Sequence, residues 1–201
     1  MTERQIQRFF RVLSREFSKP ARLIVTGAAA GSLWGAVRPS LDIDFGVTMV
    51  GADRGDWEAF AGAVARTVQL TGIRADYAED LDRWGAIALL DYQRHTLLYR
   101  AFGQLDVRLL DPVYWSIGKI SRYLDPDVRD LVAVCKRRRL PADRLITLWA
   151  RALRSSPPST ACTLFRTQVE HFLRTYGRVI WGKRFDTEDA IRQFHQQFRR
   201  S

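Results

Sequence analysis

Two acids separated by one residue, Asp42 and Asp44 in the run Leu41-Asp42-Ile43-Asp44-Phe45, have the type and spacing that suit chemistry. Side chains of a strand alternate between faces, so both carboxylates share one face while Leu41, Ile43 and Phe45 take the other. Like charges held about 6–7 Å apart at Cα repel and raise each other's pKa. The arrangement becomes favourable when a hard divalent cation sits between the oxygens. A cation there bridges phosphate oxygens and helps to activate an attacking hydroxyl, as in phosphoryl and nucleotidyl transfer. The tripeptide alone is short and common, and an exposed strand with an acidic outer face is its plainer explanation.

Its surroundings add specificity. Upstream lie Val25-Thr26-Gly27-Ala28-Ala29-Ala30, then Leu33-Trp34-Gly35, then Arg38-Pro39-Ser40. This order resembles the polymerase-beta-like nucleotidyltransferase superfamily: a strand ends in a glycine-containing turn, a short helix follows, and the next strand carries the acid-x-acid pair. It looks most like the small bacterial abortive-infection toxin-type members and their relatives, and the match covers residues 22–47. The resemblance implies Mg²⁺ or Mn²⁺ held by Asp42, Asp44 and a third carboxylate, with an NTP as substrate.

For that third carboxylate the alternating run Gln104-Leu105-Asp106-Val107-Arg108-Leu109 offers Asp106, which would complete the site and accept the acceptor hydroxyl's proton. Asp111 lies five residues on, hence on the opposite face of a regular strand, and precedes Pro112 as a turn-former does. Asp91, in Asp-Tyr-Gln-Arg, reads as a turn residue. Gly27 lets the backbone approach phosphate. The relatives carry Gly-Ser or Gly-Gly where this chain has Gly27-Ala28, so a hydroxyl donor is missing and backbone amides are left to bind phosphate. Arg38 and Ser40 fall on the Asp42/Asp44 side by parity if the strand begins early. Lys119, in a segment that also resembles the relatives, is a further expected phosphate or site contact. Asp127 reads as a helix first-turn acid and Asp130 as an ion-pair partner.

The elements that must position these residues follow from periodicity. Residues 3–18 place Ile6, Phe9, Phe10, Leu13 and Phe17 at helical spacing. Leu23 to Thr26 reads as a strand, AAAGSLWGAV as a helix against a sheet, and 56–71 as a helix with Asp56 at its N-cap. After an acidic turn region, Trp84 to Leu90, Thr96 to Phe102 and Leu105 to Leu110 read as strands. From Pro112 onward the pattern is helical, over roughly 112–122, 126–138, 141–154, 160–180 and 187–199. The expected fold is α+β: residues 1–112 form a mixed β-sheet core flanked by helices, and residues 113–201 a basic C-terminal helical region.

Composition narrows the function classes. The chain of 201 residues carries a net charge of +10, unevenly: residues 1–112 hold 14 Lys+Arg against 14 Asp+Glu, and residues 113–201 hold 18 against 8. An RNA, DNA or acidic-protein partner follows as an expectation. Lys136-Arg137-Arg138-Arg139 is a basic run at a helix end, where cations also complement the helix dipole. The aromatic residues of the C-terminal half fall at core spacing. No apolar run reaches the roughly 20 residues of a membrane span, and the first residues do not read as a signal peptide, so a cytoplasmic location is expected. Two cysteines and three dispersed histidines support neither a disulfide framework nor a zinc site, and no nucleophile elbow or P-loop is present.

The resulting expectation is a metal-dependent nucleotidyltransferase that passes NMP from an NTP to tRNA, other RNA or a protein. The alternative is a catalytically weakened protein of that fold that binds nucleic acid or a cognate toxin or antitoxin.

Overall fold

The computed structural model describes residues 1–199. The element order is α1 (Glu3–Glu16), β1 (Ala21–Val25), α2 (Gly27–Trp34), β2 (Asp42–Thr48), α3 (Arg54–Thr71), β3 (Arg74–Ala78), β4 (Thr96–Phe102) and β5 (Leu105–Leu110), then α4 (Pro112–Arg122), α5 (Asp125–Arg138), α6 (Ala142–Ser155), α7 (Thr160–Trp181) and α8 (Thr187–Arg199). The fold is α+β, with one five-stranded mixed sheet of order β3-β2-β1-β5-β4. β1 runs antiparallel to β2 and parallel to β5, β2 is parallel to β3, and β4 is antiparallel to β5.

The chain packs as two compact units. One comprises residues 1–33, 38–81 and 93–111; the other comprises 34–37, 82–92 and 112–201. In the first, the sheet buries one face. Phe45 of β2 lies 6.3 and 5.9 Å from Phe9 and Phe10 of α1, 6.5 Å from Phe60 of α3, and stacks at 5.9 Å on Tyr77 of β3. Leu23, Val25, Ile43 and Val107 are buried on the same face. A slip of β2 by one residue would expose this aromatic cluster, so the core fixes which side Asp42 and Asp44 face. The N-cap of α3 is Asp53 rather than Asp56. The Asp53 side chain accepts from the Asp56 amide at 2.8 Å while Asp56 accepts from the Asp53 amide at 3.2 Å, a reciprocal box.

The helical unit is built around fully buried Trp149, Phe165, Phe172 and Phe194. The Trp149 indole donates to Ser116 Oγ at 2.8 Å, so its one polar atom is satisfied inside the core. These aromatics pack the unit, as their spacing implies. Among the described residues no helix is long and apolar enough to cross a membrane.

One expected strand is absent and another takes its place. Trp84 to Leu90 forms no strand. The Leu89 amide donates to the Asp82 carboxylate and the Ala88 amide to Ser156 Oγ, so side chains satisfy donors that a neighbouring strand would otherwise take. The fifth strand is instead β3, within the stretch that reads as acidic turn.

Candidate metal centre

The carboxylates of Asp42, Asp44 and Asp76 each offer an oxygen, and these oxygens lie within 4.8 Å of one another. Asp42 and Asp44 are half-buried and Asp76 is exposed. β2 and β3 pair in parallel with Asp44 directly opposite Asp76, so two of the acids meet across the strand pair and the third stands two residues along. All three project from the face opposite Phe45. Like charges directly opposite each other in a sheet are destabilising, and a hard cation reverses the sign of that interaction. A donor set of oxygens alone suits Mg²⁺ or Mn²⁺ and excludes a soft-metal preference.

Gly27 stands against the same carboxylates. It begins α2 at φ +61°, and a Cβ built on it would fall 1.9 Å from Asp44 Oδ2 and 2.8 Å from Asp44 Cγ. Glycine is therefore required twice, for the left-handed backbone and for the space. The Thr26 amide donates to the Asp44 carbonyl at 2.8 Å, which ties the turn after β1 to the acid-bearing strand. Replacing Gly27 with Ala is expected to cost at least about 1–2 kcal/mol from the backbone alone. It should also push the Asp44 carboxylate out of the cluster, read as a lower melting temperature together with weaker Mn²⁺ binding. A variant as stable as the parent would contradict this contact.

Asp106 is on the expected face, but the sheet register keeps it away from the pair. Asp44 is level with Thr26, since Val25 pairs with Phe45; Val25 also pairs with Leu109, which makes Leu110 the β5 residue at the level of Asp44. Asp106 is four residues from that level and two strands over, about 13 Å along and about 10 Å across. It bonds Arg22 Nε at 3.0 Å, with Arg108 Nη1 at 3.7 Å. Parity identifies a face but not a position along it. Asp111 donates its amide to the His95 carbonyl at 2.9 Å, at the end of β5.

Ser40 and Arg38 precede β2 rather than extending it, so the parity that placed them beside the acids does not apply. The buried Ser40 hydroxyl donates to the Asp42 carbonyl, and the Ser40 carbonyl accepts from the amino group of Met1 at 2.6 Å. Ser40 fixes the entry into β2. Arg38 is half-buried in the loop between α2 and β2, and Ala28 occupies the second position of α2.

Lys119 belongs to another constellation. It is buried in the helical unit, with Nζ 2.8 Å from Asp127 Oδ1, 3.2 Å from Asp130 Oδ2 and 5.0 Å from the Trp115 ring centre. Arg122 reaches Asp127 at 2.7 Å, and Asp130 accepts the Val37 amide at 3.2 Å. Burial opposes the charge of Asp127, but the bonds and charges of Lys119 and Arg122 outweigh it and hold the carboxyl below its ordinary value. Lys119 is thus paired with two buried carboxylates, and Asp127 is more than a first-turn acid. Asp91 sits in a turn at φ +56° and accepts from Arg151 at 2.7 Å.

Asp76 is the residue that sequence reasoning missed. Ile73, Ala75 and Tyr77 alternate with Arg74 and Asp76 directly after the Gly72 stop of α3, a short period-two signal. Compared with protein-family models, curated proteins and solved structures, the chain has no match.

Proposed function

We propose that this chain is a metal-dependent nucleotidyltransferase of the polymerase-beta-like kind, transferring NMP from an NTP to an acceptor hydroxyl on tRNA, another RNA or a protein. The observation that carries the reading is the convergence of the Asp42, Asp44 and Asp76 carboxylates behind a strand–glycine–helix turn. These three residues would hold Mg²⁺ or Mn²⁺, which when bound supplies positive charge to the triphosphate oxygens.

The chain's own residues do the rest. Asp76, the most exposed of the three, takes the acceptor hydroxyl's proton as that oxygen bonds to the α-phosphorus and the bond to pyrophosphate breaks. Backbone amides at Gly27 and Ala28, at the start of α2, would meet phosphate oxygens at the positive end of the helix. Incubation with an α-labelled NTP, Mg²⁺ and total RNA should label an acceptor, and Asp42→Asn and Asp44→Asn should each abolish the labelling. Labelling that survives either change would refute the reading.

One feature favours a second reading, a weakened member that binds without transferring. Ala28 brings no hydroxyl, and the Ser32 hydroxyl is committed to the Ala29 carbonyl at 2.8 Å. Under this reading RNA binding persists unchanged in Asp42→Asn and no label moves.

A further inference from the structure

We infer that one end of the helical unit is a docking surface for single-stranded RNA, assembled from the C-terminus of α5 and the turn after α7. This rests on charge and stacking rather than on the transfer chemistry proposed above.

Two basic runs far apart in sequence meet there. The Trp181 indole at the end of α7 donates to the Leu140 carbonyl, just past α5, at 2.8 Å. That bond brings the segment carrying Lys136 and Arg139 to the end of α7, next to the turn that carries Lys183 and Arg184 and one helical turn past Arg178, while the Arg137 side chain lies against Gly35. All of these side chains are exposed, and among the described residues none is ion-paired. The turn carrying Lys183 and Arg184 is held in place: Phe185 donates its amide to the Gly182 carbonyl at 3.1 Å, its ring lies 4.7 Å from Trp181, and a Cβ on Gly177 would fall 2.5 Å from it. The cations therefore stand on a fixed frame.

The helix dipole explains a cation or two at the end of α5 but not this set, because Lys183 and Arg184 lie outside any helix. Clustered cations that outnumber the adjoining Asp186, whose carboxylate accepts the Asp189 amide at 3.0 Å, repel one another, and a polyanion reverses that. Arg139 sharpens the point. It occupies the left-handed C-cap of α5 at φ 50°, ψ 46°, where glycine or asparagine is usual. Trp181 and Phe185, packed on each other and half-exposed beside the cations, add aromatic surface for an unpaired base to stack on, which favours a single strand.

The test uses the full chain and a labelled mixed-sequence RNA of about 20 nucleotides, followed by anisotropy across a salt series. Neutralising these cations on a single strand predicts a slope of log K against log salt near −4, within roughly one unit. Lys183→Ala/Arg184→Ala should reduce its size by about 1.4 and Arg139→Gly by about 0.7. Arg139→Gly should also melt about 2–4 °C higher, because it relieves the left-handed backbone, so weaker binding there is not loss of fold. Slopes unchanged in both variants, no salt-dependent binding, tighter binding of the matched DNA strand, or anionic vesicles bound in place of RNA would each overturn the inference.

Discussion

Replacing Asp76 with Asn is expected to lower Mg²⁺ and Mn²⁺ affinity at least roughly a hundredfold and to lower transfer in step. Loss of a residue that merely orients a metal ligand already costs 10–100-fold, and Asp76 is assigned a ligand's place opposite Asp44. Without metal, the same change should leave stability equal or raise it by about 0.2–1 kcal/mol, because it removes a like-charge cross-strand pair. Asp106→Asn is the matched control. It gives up a half-exposed bond to Arg22, so stability should move by no more than about 1 kcal/mol while metal affinity stays. Calorimetric titration of the two variants separates the roles: equal losses, or a loss confined to Asp106→Asn, would return the third ligand to β5.

The largest effect on stability is expected from Lys119→Met. The change keeps an unbranched apolar stem over Trp115 and deletes the ammonium that buried Asp127 and Asp130 share, although Arg122 still reaches Asp127. Breaking a buried ion network in this way costs about 3–5 kcal/mol, a large share of the 5–15 kcal/mol that holds a typical domain. Denaturant unfolding followed by near-ultraviolet dichroism would read it. A loss under 1 kcal/mol would mean that the network contributes little. The pH dependence has a definite sign. The folded pKa of Asp127 is lowered, so its contribution is present above the unfolded value of 3.8 and is lost as pH falls through the lower folded value. Acid unfolding of the parent should steepen below pH 3.8, and Lys119→Met should lose that feature.

The sequence was most legible where burial enforces a period. Leu105 to Leu110, Asp42 to Thr48 and the five C-terminal helices follow from alternation or helical spacing, because their apolar residues pack on a core. The Asp42/Asp44 face was legible for the same reason, through Ile43 and Phe45. β3 was not. As an edge strand it needs only weak apolar residues on one side, and Glu79-Asp80 just beyond it made the segment resemble a turn. The run from Trp84 to Leu90 misled in the other direction: its apolar content reads as a strand, but the Ala88 and Leu89 amides donate to Ser156 and Asp82 side chains instead of a neighbouring strand. Asp106 against Asp76 marks a limit of principle. Parity along one strand assigns a face, whereas which acids converge depends on pairing partners and register, and those arise from contacts between distant segments.

The proposed metal centre requires Asp42, Asp44 and Asp76 to bind a divalent cation together. Anomalous diffraction from crystals soaked in Mn²⁺ tests it most directly. The account predicts one manganese peak coordinated by oxygens of all three carboxylates, weakened or lost in Asp76→Asn crystals. A peak at Asp106, or no peak at the β2–β3 pair under saturating Mn²⁺, would contradict it.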